Sequence, residues 1–461
     1  MKCTYSAITR ARGVLVGARR DSRGNALVVT LLITLALSGL VMGALVASQT
    51  EMRLSSNTSM QQKAFYLAER GMEESIAFLA QMGQPLVGSG ADGGGPVVLF
   101  TDIDTGEGRY TVWADPMDNN SGRASRFVAL TVRGTLDGSG VSRAMQIRLG
   151  QQNFSRYAYF TDIETSASGG TIWFTGNDEF FGPVHTNDQM HIAGDPIFHE
   201  EASSGAADLD YYNGGPPQDD PVFEMGLNLN ADNILLPPNT DLLRAKGLAA
   251  DGLDFTGTAV IEMRLDAGGN GILRVRVNGG AAVDYPLPAN GVCFVDGKVE
   301  LKGTLKGQLT IACEGDIEIM DNCVYDTDPR IDPTSTDMLG IVADGDVYMD
   351  GYAYGANVDT ADETVMAAIM TLDESFTVEN YNSGSPRGNL VIYGGLIQYR
   401  RGPVGTFNGS TGQIITGYAK DYSYDPRLMD NPPPAFPTTG DIDKISWQEI
   451  DPSQDITANY W

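Results

Sequence analysis

The stretch "NALVVTLLITLALSGLVMGALVAS", Asn25 to Ser48, is 24 residues without a charge. As a helix at roughly 1.5 Å per residue it reaches about 36 Å, more than the roughly 30 Å hydrocarbon core of a bilayer, so it can span one. Its flanks set the direction. Residues 1–24 hold Lys2, Arg10, Arg12, Arg19, Arg20 and Arg23 against Asp21, a net of +5, so the chain's formal −28 leaves −33 beyond Gly24. The basic side stays in the cytoplasm, which sends the acidic body across. A secretory signal has a shorter apolar region and a small-x-small cleavage site. This run is long and closes on "GALVASQTE", with Leu45 three places before a cut after Ala47, so retention is the stronger reading.

The apolar pattern continues past the span. Met60, Ala64, Leu67, Ala68, Gly71, Met72, Ile76 and Leu79 recur at three and four. That predicts one helix over residues 25–82, apolar all round in its first half and one-sided in its second. "GQPLVGSGADGGGP", residues 83–96, reads as a Gly-rich linker. Beyond it "RYTVWAD", "RFVALTVRGTLDGSG" and "SRAMQIRLG" alternate around a turn at Asp137 to Gly140, which predicts an antiparallel meander over residues 97–150.

Residues 153–461 contain a repeat. "DGKVEL" at Asp296, "EGDIEI" at Glu314 and "DGDVYM" at Asp344 are each acidic, Gly, polar, β-branched, variable, apolar; "NDQMHI" at Asn187 and "YGGLIQ" at Tyr393 are weaker copies. Short strands joined by a tight corner predict the coils of a β-solenoid that loop out between rungs. The loop-outs include an insertion at about 200–290 and a Pro-rich tail at about 420–461 lying extended over the body. Within a coil, Ile311, Cys313, Ile317 and Ile319 should face inward and Ala312 and Glu318 outward. "NTDLLRAKGLAADG" reads as a short capped helix, "AVIEMRLDAGGNGILRVRV" as a hairpin, and "TADETVMAAIMTLDESF" as a second helix or a buried strand.

Little in the chain points to chemistry. Its acidity argues against a nucleic-acid partner. His185, His191 and His199 are the only histidines and fall within fifteen residues, the raw material of a zinc or copper site. The repeat weakens that reading. It sets His191 level with Glu300, Glu318 and Tyr348 and His185 level with Ala312, all outward and solvent-facing positions, so no metal site is expected. "DTDPRIDPTSTD" and "DYYNGGPPQDDP" offer hard oxygens for Ca2+ without EF-hand spacing, and acidic surface loops are the plainer reading. Cys3 lies in the leader; Cys293, Cys313 and Cys323 allow one internal pair at most, with Cys313 and Cys323 nearest in sequence. No GxSxG, P-loop or HExxH motif is present, and the expected answer to enzyme activity is no.

A short basic leader ending in Gly, an apolar segment, then "AFYLAERGMEES" resembles the N-terminus of type IV pilins, most closely the PilX and type II secretion K-type minor subunits. The resemblance implies a prepilin peptidase that cuts between Gly24 and Asn25, and a retained helix whose Leu27, Val29, Leu32, Leu35, Gly39 and Gly43 face membrane and filament core. Major pilins carry Glu five residues into the mature chain, where it neutralises a neighbour's amino terminus; here that position is Val29. A buried unpaired ammonium is costly, so the resemblance implies a place at the filament tip with no neighbour above. Gly39 and Gly43 would mark where pilin helices unwind on assembly, or a helix-dimer face. "WFTGNDEFFGPVHTNDQMHI", "GIVADGDVYM" and "YDPRL…PPPAFP" resemble an uncharacterised bacterial domain family that follows PilX-like N-termini, over about two thirds of the chain and with no known activity.

The expected fold class is mainly β with a long N-terminal α-helix: a pilin-like helix and small antiparallel sheet, then a β-solenoid. The expected role is a minor pilin or pseudopilin subunit, single-pass in the inner membrane with the body periplasmic or extracellular. Its partners would be prepilin peptidase, other pilins, and surface polysaccharide or a tip adhesin. The alternative is a membrane-anchored solenoid that binds or cleaves polysaccharide without joining a filament.

Overall fold

Helix α1, Arg23–Gln81, opens a computed structural model that describes residues 23–81, 95–116, 127–350, 362–408 and 413–453. Residues 1–22 of the expected leader at 1–24, residues 83–94 of the expected linker at 83–96, and the last eight residues lie outside them. The helix reads straight through span and stripe because no Pro interrupts residues 25–81. Its first half is exposed, whereas Ala64, Leu67, Ala68 and Leu79 are buried, the two leucines contributing about 1.5–3 kcal/mol each.

These residues pack on an antiparallel meander, β1 Val97–Asp104, β2 Gly108–Pro116, β3 Phe127–Leu136 and β4 Ser142–Asn153. Alternate residues face the helix: Tyr110, Val112 and Ala114, then Val128, Leu130 and Val132, then Met145, Ile147 and Leu149. Contact is made at backbone distance. A Cβ on Gly134 would lie 2.4 Å from the Ala64 carbonyl oxygen, so only glycine lets α1 settle there.

The sheet has a fifth strand that the alternating runs do not announce. Thr438–Ile450 pairs antiparallel with β4, setting Trp447 opposite Ile147. The tail therefore divides. Tyr424, Leu428 and Phe436 lie buried against the body, as an extended cover would, and the residues after them return to the N-terminal sheet.

Between β4 and that strand, parallel strands stack. One ladder runs Leu253–Thr256, Val292–Asp296, Gln308–Cys313, Met338–Ala343, Glu363–Thr371 and Pro386–Arg400. It then continues into Tyr159–Ile163, Val184–Thr186, Ala202–Ser204 and Leu227–Leu229. Chain order and stacking order thus differ: the first strands after β4 sit on top of the last. A second ladder runs Ala259–Leu265, Val299–Leu305, Ile317–Tyr325, Val347–Met349 and Phe376–Val378. Two short ladders, through His191–Ala193 and Ile197–Phe198, flank the early strands.

The acidic-Gly repeat has a physical origin here. Val299, Ile317 and Val347 are in register. Just before them Gly315 N–H donates to Gly297 O and Gly345 N–H to Gly315 O, at 3.1 Å each. A Cβ on Gly315 would lie 2.9 Å from Gly297 O, so the corners stack backbone on backbone. Asp316 and Asp346 then accept the N–H groups of Asp346 and Ser375 from the next level, at 3.0 and 2.9 Å.

Three expectations need correction, and one open choice is resolved. "YGGLIQ" is not a corner: Gly394 pairs with Ala367 inside a strand. The segment at 200–290 is not one insertion, since 202–204, 227–229, 253–256 and 259–265 all belong to ladders, and the hairpin Gly271–Val277 with Val283–Pro286 and helix α2, Asp241–Gly247, project from them. Residues 363–371 take the strand alternative. Ala312 faces away from Ile311 and Cys313 as alternation demands, yet it is not at the surface. Leu243 of α2, Phe154, Leu428 and Phe436 form a second buried layer with it.

Candidate functional site

The candidate assembly surface is the first half of α1. Gly24 and Asn25 fall in its first turn. Leu27, Val29, Leu32 and Leu35 are 52 to 73 % exposed, an apolar cylinder that water alone would not tolerate. Its few hydroxyls are internally satisfied: Thr30, Thr34 and Ser38 donate to the carbonyls of Leu27, Leu31 and Thr34 at 2.7–2.9 Å, which suits hydrocarbon surroundings. Gly39 and Gly43 have open space where a Cβ would stand, leaving a shallow notch. α1 is the one described helix long and apolar enough to cross a membrane.

The second half is clamped to the body. Glu74 accepts the Tyr110 hydroxyl and pairs with Arg70; burial first, then that hydrogen bond, pushes the Tyr110 phenol up to about 12. Lys444 on the C-terminal strand pairs with Glu73 at 2.6 Å, and Trp447 meets Phe65 edge to face at 6.4 Å. The exposed apolar residues and the sheet-facing residues therefore belong to one continuous rod.

The three histidines do not converge. His185 occupies the Ala312 register through Val342, Met370, Ile397 and Phe160, and its outward position is buried: the ring stacks on Phe160 at 5.3 Å and exchanges hydrogen bonds with Ser203 and Asn187. His191 lies against Trp173 and pairs with Asp210 at 2.8 Å, 9 % exposed and so not solvent-facing either. His199 pairs with Glu179 at 2.7 Å and Glu224 at 2.9 Å. Burial lowers the His185 pKa, whereas the hydrogen bonds with Glu224 and Glu179 raise that of His199. Among the described residues no group of three or more His, Cys, Asp or Glu is set to hold a metal ion. In the Asp-rich loops the carboxylates cap backbone: Asp337 accepts from Gly307 and Thr327, and Asp219 from Gly194 and Asn213.

The Cys313–Cys323 pairing is not formed. All three described cysteines are free and buried. Cys313 stands between Val295 and Ala343 in one ladder, and Cys323 between Gly303 and Val365 across the core. Burial raises all three thiols, Cys293 to about 12.

A charge cluster, buried at Arg401, Glu164 and Asp178, escaped the sequence reading, which found only scattered cations. Arg401 pairs with Glu164 at 2.7 Å, side chains 2 % and 0 % exposed, and its guanidinium lies 3.9 Å from the Phe174 ring centre. Lys420 pairs with Asp178 at 2.7 Å. The partners are more than 230 residues apart, so no local motif announces them.

Residues 23–73 match the family profile described as PilX N-terminal, and residues 117–207 match a domain of unknown function, DUF4900. The second match is narrower than the two thirds of the chain that the resemblance implied. No curated protein matches. Among solved structures, the competence-associated pilin ComZ from Thermus thermophilus is similar over 85 % of this chain and 98 % of that one, at 15 % identity and a TM-score of 0.32. The chain thus carries a PilX-like N-terminus joined to a DUF4900 domain.

Proposed function

We propose that this chain is a minor pilin-like structural subunit, with no catalytic role. It would enter the inner membrane through α1, lose its leader between Gly24 and Asn25, and pack the exposed half of that helix into or at the tip of a pilus or secretion pseudopilus. The observation that carries this reading is the exposed apolar half of α1 running without a break into a half bolted to a sheet. A rod of that kind couples a folded body rigidly to whatever surrounds its apolar end. Val29 in place of an acidic residue supports the tip, because the subunit then cannot neutralise an amino terminus stacked above it. The stacked ladders, read as a β-solenoid, would be displayed outward.

N-terminal sequencing of protein from peptidase-positive and peptidase-null cells tests the assignment. The mature chain should start at Asn25 only where the peptidase is present, and Gly24→Ala should keep the leader. A chain starting at Met1 in both strains would sink the filament reading and leave a plain membrane anchor.

A further inference from the structure

A cleft of about 740 Å³ opens where the early strands stack on the late ones. That volume lies within the roughly 300–1,000 Å³ usual for small-ligand sites. Its lining comes from two parts of the chain: residues 166–177 with Tyr212, and residues 401–407 with 414–422. Trp173 and Tyr212 meet edge to face with ring centres 5.2 Å apart. Trp173 is also held in place, because His191 packs on it at 5.5 Å and Asp210 fixes that imidazole. Phe407 adds an exposed ring, and Ser168, Thr171, Asn177 and Thr406 add hydroxyls and an amide.

Each cation lining the cleft, Arg401 and Lys420, has a carboxylate partner. Arg401 is matched by Glu164 and Lys420 by Asp178, so no unpaired cation waits for an anionic ligand. The net −33 carried beyond Gly24 also repels anions. Fixed aromatic faces among neutral hydrogen-bonding groups, with each cation paired, match a molecule that has apolar C–H faces and many hydroxyls. We propose that this cleft binds a neutral saccharide, roughly two or three pyranose rings by volume, stacked on Trp173 and Tyr212.

The proposal deepens the display role by naming what the body holds, and binding in solution needs no filament. A filament subunit that binds no sugar would therefore defeat this inference alone; a sugar-binding protein that keeps its leader would defeat the filament alone. The experiment uses the full chain in a zwitterionic detergent without a sugar headgroup. It is titrated with maltotriose, cellotriose and triacetylchitotriose, with trigalacturonate as the acidic comparison, and binding is read by calorimetry and tryptophan fluorescence. At least one neutral trisaccharide should bind with a sub-millimolar constant. Trp173→Ala and Tyr212→Ala should each weaken it at least tenfold, while Trp447→Ala, on the distant sheet, leaves it unchanged. Tyr212 is exposed, so its variant reports binding even if Trp173→Ala folds poorly. Silence from all three neutral sugars, binding of trigalacturonate alone, or wild-type affinity in Tyr212→Ala would overturn the proposal.

Discussion

Two closures join distant parts of this chain, and they are built on opposite principles. At the sheet, β4 meets the C-terminal strand: Gln152 donates to Asp443, 291 residues away, and Lys444 pairs with Glu73 with both side chains about half exposed. At the stack, the first ladder strand after β4 meets the last: Arg401 pairs with Glu164 out of water, and Gln398 donates to the Tyr159 hydroxyl beside them. The sheet closure rests on backbone pairing, with its charges decorative. The stack closure also has backbone pairing, but it encloses ions that tolerate no missing partner. An exposed joint can be edited one side chain at a time; a buried ionic joint is all or none.

The largest effect should follow from breaking the buried joint. Arg401→Ala leaves Glu164 buried and unpaired, which should cost roughly 3–5 kcal/mol, seen as a lower midpoint in thermal or denaturant unfolding of the full chain. A double variant, Arg401→Met with Glu164→Leu, removes both charges and should recover most of that loss. Equal damage in single and double variants would show that Arg401 matters through packing on Phe174 and Tyr159, and would erase the contrast.

The contrast also marks what could be read from the residues. The rod was legible because its signals are local: a charge-free run, a stripe at three and four, and no Pro. The corner repeat was legible because each Gly and each Asp following it contacts the equivalent residue one level away, so a single structural demand recurs in the sequence. Neither closure was legible. Thr438–Ile450 carries "TTGDIDKISWQEI", whose alternation is interrupted by register shifts. Tyr159–Ile163 gives no sign that its partner comes from residues 396–400. Pairing across such separations is a property of the folded whole, and the same applies to the burial of His185. Alternation put that residue on the correct side, but Tyr157, Ser203 and Asn187 close over the face that alternation leaves outward.

A smaller effect is expected at the exposed joint. Lys444→Ala removes a pair open to solvent and salt on both sides, so the loss should be about 0.5 kcal/mol or less and should vanish in 1 M salt. Loss of more than about 2 kcal/mol in the same unfolding measurement would mean that the C-terminal strand is held by its charges and not by its ladder.

The smallest net effect is one of pH, because the stack holds a buried and an exposed histidine that pull in opposite directions. His199, raised by its bonds with Glu224 and Glu179, contributes stability that is complete below its unfolded value of 6.5 and fades as pH rises through its folded one. His185, lowered by burial, does the reverse: the unfolded chain takes up its proton first, so stability falls as pH drops below 6.5 toward the folded value. In the wild type the two contributions oppose. Removing one should uncover the other: His199→Gln steepens the rise of stability with pH around neutrality, and His185→Gln tilts the curve the other way. Imidazole resonances followed by NMR should titrate above 6.5 for His199 and below it for His185. A common midpoint for both would mean that the side chains over His185 admit water as freely as the surface around His199, and burial would then no longer separate the two histidines.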